Sequence, residues 1–249
     1  MNRKIVFAAA SVCLFAAGCT NKKISAPPIL IAPLPSANIV SPDWVKFDPA
    51  VTSFTNADGQ VCKDGGNDKD RTTYRYKDRT DTAEDHSTSY HTVSLSAIKA
   101  LPYFANEHTS ALDGFTNPDD KKEVFKYQGI PVQLEGWLAD DLRNEAGEAT
   151  NCGSTAAADV DWHLVMAEQG EDPSKSVFVE ITPRVRATHQ KWSKTAFKSG
   201  AHLRVQGWLL YDPDHKNQMT THKRATLWEV HPVMKVWKEV DGQWIDLDQ

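Results

Sequence analysis

The chain has 249 residues, 40% of them hydrophobic and 24% charged, with a formal net charge of −5. That length allows one or two domains with a sizeable core, and the proportions sit near those of globular chains rather than disordered ones. A net acidic chain argues against indiscriminate nucleic-acid binding, which rests on many Lys and Arg contacts to phosphate.

The first element is a signal. Arg3 and Lys4 precede a run of apolar and small residues from Ile5 to Gly18. The run is shorter than the roughly 20 residues that span a bilayer, and it suits the apolar core of a secretory signal. Ala16-Ala17-Gly18-Cys19 closes it and resembles the lipobox of bacterial lipoproteins, departing from it at Ala16, where that pattern prefers Leu. The resemblance implies removal of residues 1–18 and attachment of membrane lipid to Cys19. Thr20, where Asp would signal inner-membrane retention, favours the outer membrane of a Gram-negative envelope. Residues 19–43 form the lipidated cysteine and a tether rich in proline (Pro27, Pro28, Pro33, Pro35, Pro42). Such chain is stiff and extended, about 3.1 Å per residue. Ile29, Leu30 and Ile31 interrupt its polarity, as a patch for docking on the domain or touching lipid.

Residues 44–123 read as a loop-rich segment that packs on the second half of the chain. Asp58-Gly59, Gly65-Gly66 and the alternating charges between Asn56 and Asp85 are loop signals. Leu95, Ile98 and Leu101 stand at helical spacing, so a short helix is predicted between Ser94 and Leu101, ended by Pro102. An exported compartment permits oxidation, and a disulfide between Cys62 and Cys152 is expected. Neither cysteine has a second ligand at zinc-site spacing. The bridge closes a loop of about 90 residues, which the chain-entropy model values at roughly 4–5 kcal/mol.

Residues 124–249 have the clearest pattern. Strands are predicted at Ile130–Leu138, Asp161–Met166, Val177–Thr182, Ala201–Tyr211 and Arg224–Val236. A short helix, Thr188–Lys198, falls between the third and fourth. A hairpin through residues 235–247 turns at Asp241-Gly242. Three strands, a helix and two strands is the order of an OB-fold barrel. The expected fold is therefore mainly β, an OB-fold-like five-stranded barrel with one short helix. Gly136 and Gly207, inside strands, predict bulges or sharp bends.

Strand alternation sorts the candidate site residues. Asp161 and His163 oppose Trp162, and Glu180 and Thr182 oppose Val179 and Ile181. Arg204, Gln206 and Trp208 oppose Leu203, Val205 and Leu209, while Glu229 and His231 share a side. Asp161, His163, Glu180, Arg204, Trp208, Glu229 and His231 are thus the candidate ligand-binding band. Three readings stand. The preferred one is a solvated outer face with cross-strand ion pairs such as Glu180 with Arg204. The second is a binding face on which Trp208 stacks a sugar or a base. The third is a metal or hydrolytic site, since carboxylates and imidazoles ligate divalent ions and move protons. No His-Glu-x-x-His run, nucleophile elbow or phosphate-binding glycine loop is present, so no catalytic residue, metal or cofactor is assigned. Arg184, Arg186, Lys191, Lys194 and Lys198 are expected on the wet face of the helix, with Trp192 and Phe197 inward. Asp212-Pro213-Asp214-His215 reads as a turn; His222 is the extra ligand if that loop binds metal.

Several stretches resemble a group of secreted bacterial proteins of uncharacterised activity with an OB-like core. They include Lys77-Asp78-Arg79-Thr80-Asp81, Glu135-Gly136-Trp137, Asp161-Trp162-His163-Leu164 and Arg224-Ala225-Thr226-Leu227-Trp228-Glu229-Val230-His231-Pro232-Val233. Position 78 departs from the group, where Asn is expected. The resemblance covers roughly Lys77 to Val236 and supports the domain limits; it implies no activity. The combined expectation is a lipid-anchored envelope protein with a non-enzymatic OB-type binding or interaction domain. Its partner would be a glycan, a nucleic acid or another envelope protein. The alternative is a metal-assisted hydrolase acting on nucleic acid or phosphodiesters.

Overall fold

The computed structural model describes residues 46–63, 65–66, 72–104, 114–220 and 224–249; the signal, Cys19, the tether and His222 lie outside them. Along the chain run β1 (Phe54–Thr55), β2 (Val61–Cys62), α1 (Thr72–Lys77), β3 (His91–Val93), α2 (Leu95–Lys99) and α3 (Pro118–Val124). They are followed by β4 (Pro131–Leu138), β5 (Arg143–Glu145), β6 (Asp161–Ala167), β7 (Val177–Ile181) and α4 (Pro183–Arg186). Then come β8 (His202–Tyr211), α5 (Lys216–Thr220), β9 (Trp228–Val240) and β10 (Gln243–Asp246).

Five strands close a barrel in the order β4-β8-β9-β7-β6. Closure back to β4 runs through Trp137 opposite Ala167 and Leu138 opposite Met166. Every pairing in the ring is antiparallel except β7 with β9, which is parallel at Val179 and Val230. Numbered along the barrel, the circuit is first, fourth, fifth, third, second, which is the OB-type connection predicted. Alternation explains the interior. Leu134, Leu164, Met166, Val179, Ile181, Leu203, Val205, Val230 and Val236 are all fully buried in one apolar cluster. Each sits at every second position of a strand whose other side faces outward.

The preceding segment is woven into the barrel. β3 lies parallel beside β4. The Ser94 side chain caps α2 by accepting from the Ala97 amide, and Leu95 and Ile98 enter the barrel's core cluster. α1 packs against β9. The Cys62–Cys152 disulfide ties β2 to the loop between β5 and β6, across a separation of 90 residues.

Three local expectations are corrected. The helix at Thr188–Lys198 does not form. Thr182 instead caps α4, with Pro183 in its first turn, and the following chain runs through turns to a 3-10 turn at Lys194–Ala196 capped by Ser193. The helix-like spacing of Trp192 and Phe197 reflects two separate anchors in the core. The fifth strand begins at Trp228 rather than Arg224 and runs to Val240. Gly207 does mark a register shift; a Cβ there would lie 2.4 Å from the Pro232 carbonyl oxygen. Gly136 marks no shift but faces Leu95 and the Ala167 carbonyl where the barrel closes.

Candidate functional site: a buried acid–histidine network

Five of the seven band residues meet. β6 supplies Asp161 and His163, β7 supplies Glu180, and the first half of β9 supplies Glu229 and His231. All point away from the barrel core, as alternation requires, because their strand neighbours Trp162, Leu164, Val179, Ile181 and Val230 fill it. Glu180 Oε2 lies 2.9 Å from His163 Nε2 and 3.0 Å from His231 Nδ1. His231 Nδ1 is also 3.2 Å from Glu229 Oε1, and its Nε2 is 3.8 Å from Asp161 Oδ2.

The band is not a solvated face. Asp161, Glu180, Glu229 and His231 are completely buried and His163 nearly so. The cover comes from distant segments: α1, the loop from β5 to β6, and the loop from β8 to β9. Lys77 of α1 reaches Asp212 at 2.6 Å. His215 Nδ1 meets Asp212 at 2.8 Å, Arg224 donates to Glu229 at 3.0 Å, and Glu145 meets His163 Nδ1 at 2.6 Å. Asn151 donates to Asp161 at 2.9 Å. The covering loops and the strands below them correspond to the usual ligand site of an OB barrel. The turn at Asp212–His215 forms as predicted, with Asp212 accepting from the Asp214 amide. The same Asp212 carboxylate also serves the network.

Charge follows from burial and pairing. Burial opposes ionisation of every member. The Glu180 and Glu145 carboxylates nevertheless raise His163 well above the ordinary imidazole range, and Glu180 and Glu229 raise His231 to about 10. Asp212 and Glu145 raise His215 to about 10. Glu180 and Asp212 are held well below ordinary carboxylates by the cations around them. Asp161 goes the other way: burial and the neighbouring Glu148 push it up to about 8. Beside the network a cavity of about 140 Å³ is lined by Tyr74, Lys77, Glu148, Ala149, Thr150, Asp214 and His215.

Arg204 and Trp208 are elsewhere. Arg204 does not pair with Glu180; it faces Glu135 across β4 and β8, donating at 3.1 Å. Trp208 is buried rather than exposed. It keeps the outer side of β8 that alternation gives it, in register with Pro131 as Gln206 is with Gln133, but Phe47, Arg79, His86 and Tyr90 of the preceding segment pack over it. Its indole donates to the Asp81 carbonyl at 2.9 Å, and the Arg79 guanidinium lies 3.3 Å over its ring. The basic patch also dissolves. Arg184 is buried against Asp78 at 2.6 Å, and Arg186 donates to the Ile181 and Ala158 carbonyls.

The outer side of β4, β8, β9 and β10 remains open. One row across it is Trp137, His202, Glu239 and Trp244; the next is Glu135, Arg204, Trp237 and Asp246. All of these are partly exposed. Trp137 stacks on His202 at 3.8 Å, and Arg204 covers Trp244 at 4.2 Å. Trp137 also edges a cavity of about 320 Å³ whose other walls include Glu168, Gln169, Glu171 and Ser199.

Sequence reasoning missed Lys77, Asp78, Arg79, Glu145, Glu148 and Arg224, whose signal is charge beside loops, the signal of a solvated surface. Asp212 and His215 did carry a signal, the Asp-Pro-Asp-His run, read as a turn in preference to a metal loop. No protein-family model and no curated protein matches this chain.

Proposed function

We propose that the chain is an envelope protein held to the membrane by lipid on Cys19, and that its barrel is a non-enzymatic binding module for a glycan. The ligand face is the outer side of β4, β8, β9 and β10 together with the cavity beside Trp137. The observation that carries this reading is Trp137 itself. A partly exposed indole stands where an aromatic sheet face meets a sugar-sized cavity walled by carboxylates, an amide and a hydroxyl. Small-ligand sites begin at about 300 Å³ and combine apolar walls with a few placed polar groups. A nucleic acid fits the face less well. Arg204 is already paired with Glu135 and Lys235 with Asp246, so few cations are left to meet phosphate. The hydrolase reading draws on the acid–histidine network. The cavity of about 140 Å³ beside that network is far below the size of a polymer substrate.

The test is fluorescence titration of the full mature protein with soluble cell-wall and neutral oligosaccharides at low and high salt. Salt-insensitive quenching that disappears in Trp137→Ala is expected. Saturable binding that survives Trp137→Ala, or no response to any glycan up to millimolar concentration, refutes the assignment.

A further inference from the structure

Three buried residues of the network have side-chain polar atoms left over: one each on Asp161 and His231, and both oxygens of Glu180. Asp161 Oδ1 accepts from Asn151 at 2.9 Å, while Asp161 Oδ2 has no hydrogen-bond partner among the described residues. His231 Nδ1 is engaged by Glu229 Oε1, while His231 Nε2 has no such partner. Glu180 has an in-line hydrogen bond at neither oxygen, although His163 and His231 stand within ion-pair distance. All three side chains are fully buried. One ligand atom from each lies within 4.8 Å of the others.

An unsatisfied buried polar atom costs about 1–3 kcal/mol, so three residues whose unsatisfied atoms converge need a common partner. Ligands of a small divalent ion sit about 2.1 Å from it. Donor atoms around such an ion are therefore about 3–4 Å apart, the scale of this cluster. We propose that Asp161, Glu180 and His231 hold a divalent transition-metal ion.

The donor set narrows the ion. One imidazole and two carboxylates suit Zn²⁺, Mn²⁺ or Fe²⁺; the absence of sulfur disfavours Cu⁺, and the imidazole disfavours Ca²⁺ and Mg²⁺. Glu229 and Asn151 have the positions of outer partners. One fixes the His231 tautomer and the other turns Asp161. The competing occupant is protons. Burial and Glu148 keep Asp161 protonated up to about 8, and Glu180 overcomes burial to keep His231 charged to about 10. A metal displaces those protons on binding. Glu148 acts on Asp161 and also lines the cavity of about 140 Å³, so that cavity lies on the Asp161 side of the cluster. This inference is independent of the glycan face, which uses β4, β8, β10 and only the second half of β9, around Trp237 and Glu239.

The experiment uses the full lipidated protein, purified in detergent without an affinity tag and stripped with chelator. It is then titrated with Mn²⁺, Fe²⁺ and Zn²⁺ near neutral pH. About one equivalent should be retained after gel filtration. At a hundredfold excess over Kd the thermal midpoint should rise by about 5–10 °C. Glu180→Gln and His231→Gln should abolish uptake with native circular dichroism. Should either fail to fold, Asn151→Ala supplies the second measurement, with affinity lowered about 10–100-fold. A wild-type protein that takes up none of these ions, with its midpoint unmoved, overturns the proposal. So does one equivalent bound at wild-type affinity by these variants.

Discussion

Replacing Arg184 with Met tests whether the first half of the described chain is clamped onto the barrel by a buried charge. Arg184 follows Pro183 in the first turn of α4, and its guanidinium is fully buried. It pairs with Asp78 at 2.6 Å and donates to the carbonyls of Thr52, Lys63 and Thr150. One side chain thus joins the chain around β1 and β2, the end of α1 and the loop bearing Cys152 to the barrel. Methionine keeps much of the volume and removes every one of these bonds. Asp78 is then left buried beside no guanidinium. Breaking a buried pair from one side costs about 3–5 kcal/mol, because the remaining charge stays desolvated. For a chain of this size about 2–4 °C of midpoint accompanies each kcal/mol, so the expected fall is about 6–20 °C. The assay is urea and thermal unfolding of the wild type, Arg184→Met, Asp78→Asn and the double variant. The double variant should be less destabilised than the sum of the singles by about 1–3 kcal/mol, since the residues are in contact. A surface arginine would cost within about 0.5 kcal/mol when replaced. A loss that small in Arg184→Met, with additive singles, refutes the clamp.

Reduction of the Cys62–Cys152 bridge, or its replacement by two alanines, should lower stability by about 4–5 kcal/mol through the 90-residue loop it closes; unfolding with and without reductant measures this, and an unchanged midpoint refutes it. Trp208→Ala should cost about 3–5 kcal/mol as a buried aromatic truncation and leave glycan affinity untouched; loss of binding in a fully folded variant would return Trp208 to the ligand face. Asp81 contributes an acid-side term. Burial works to raise its carboxyl, but the hydrogen bond and charge of Arg79, with His86, hold it below the ordinary value. A depressed folded pKa gives stability that is present above about pH 4 and lost as pH falls through the folded value. Asp81→Asn should flatten the wild-type stability slope in that acid range, and an unchanged slope would show that this carboxylate does not contribute.

Local chemistry made the barrel readable. Alternating apolar residues mark β6, β7 and β8 because strand geometry repeats every two residues. Asp241 and Gly242 mark the β9–β10 hairpin because both adopt positive φ there, 52° and 78°. Ser94 marks the start of α2 because its hydroxyl accepts an otherwise orphan amide. The same alternation placed Asp161, His163, Glu180, Glu229 and His231 on one side of neighbouring strands.

Whether that side meets water is not a local property. It depends on Lys77 arriving from α1 and on Asp212 and Arg224 arriving from the loop between β8 and β9, and their sequence surroundings are those of solvated segments. Arg184 shows the same limit, reading as one charge in a basic run until Asp78 is brought to it across 106 residues. Trp208 shows it too: alternation places it on the outer side of β8 beside Gln206, and only Phe47, Arg79 and Asp81 arriving from the preceding segment bury it. Periodicity in the chain therefore sets strands, turns and sidedness. Burial, and with it the difference between a wet polar face and a buried donor cluster, arises only when remote segments close over one another and exclude water.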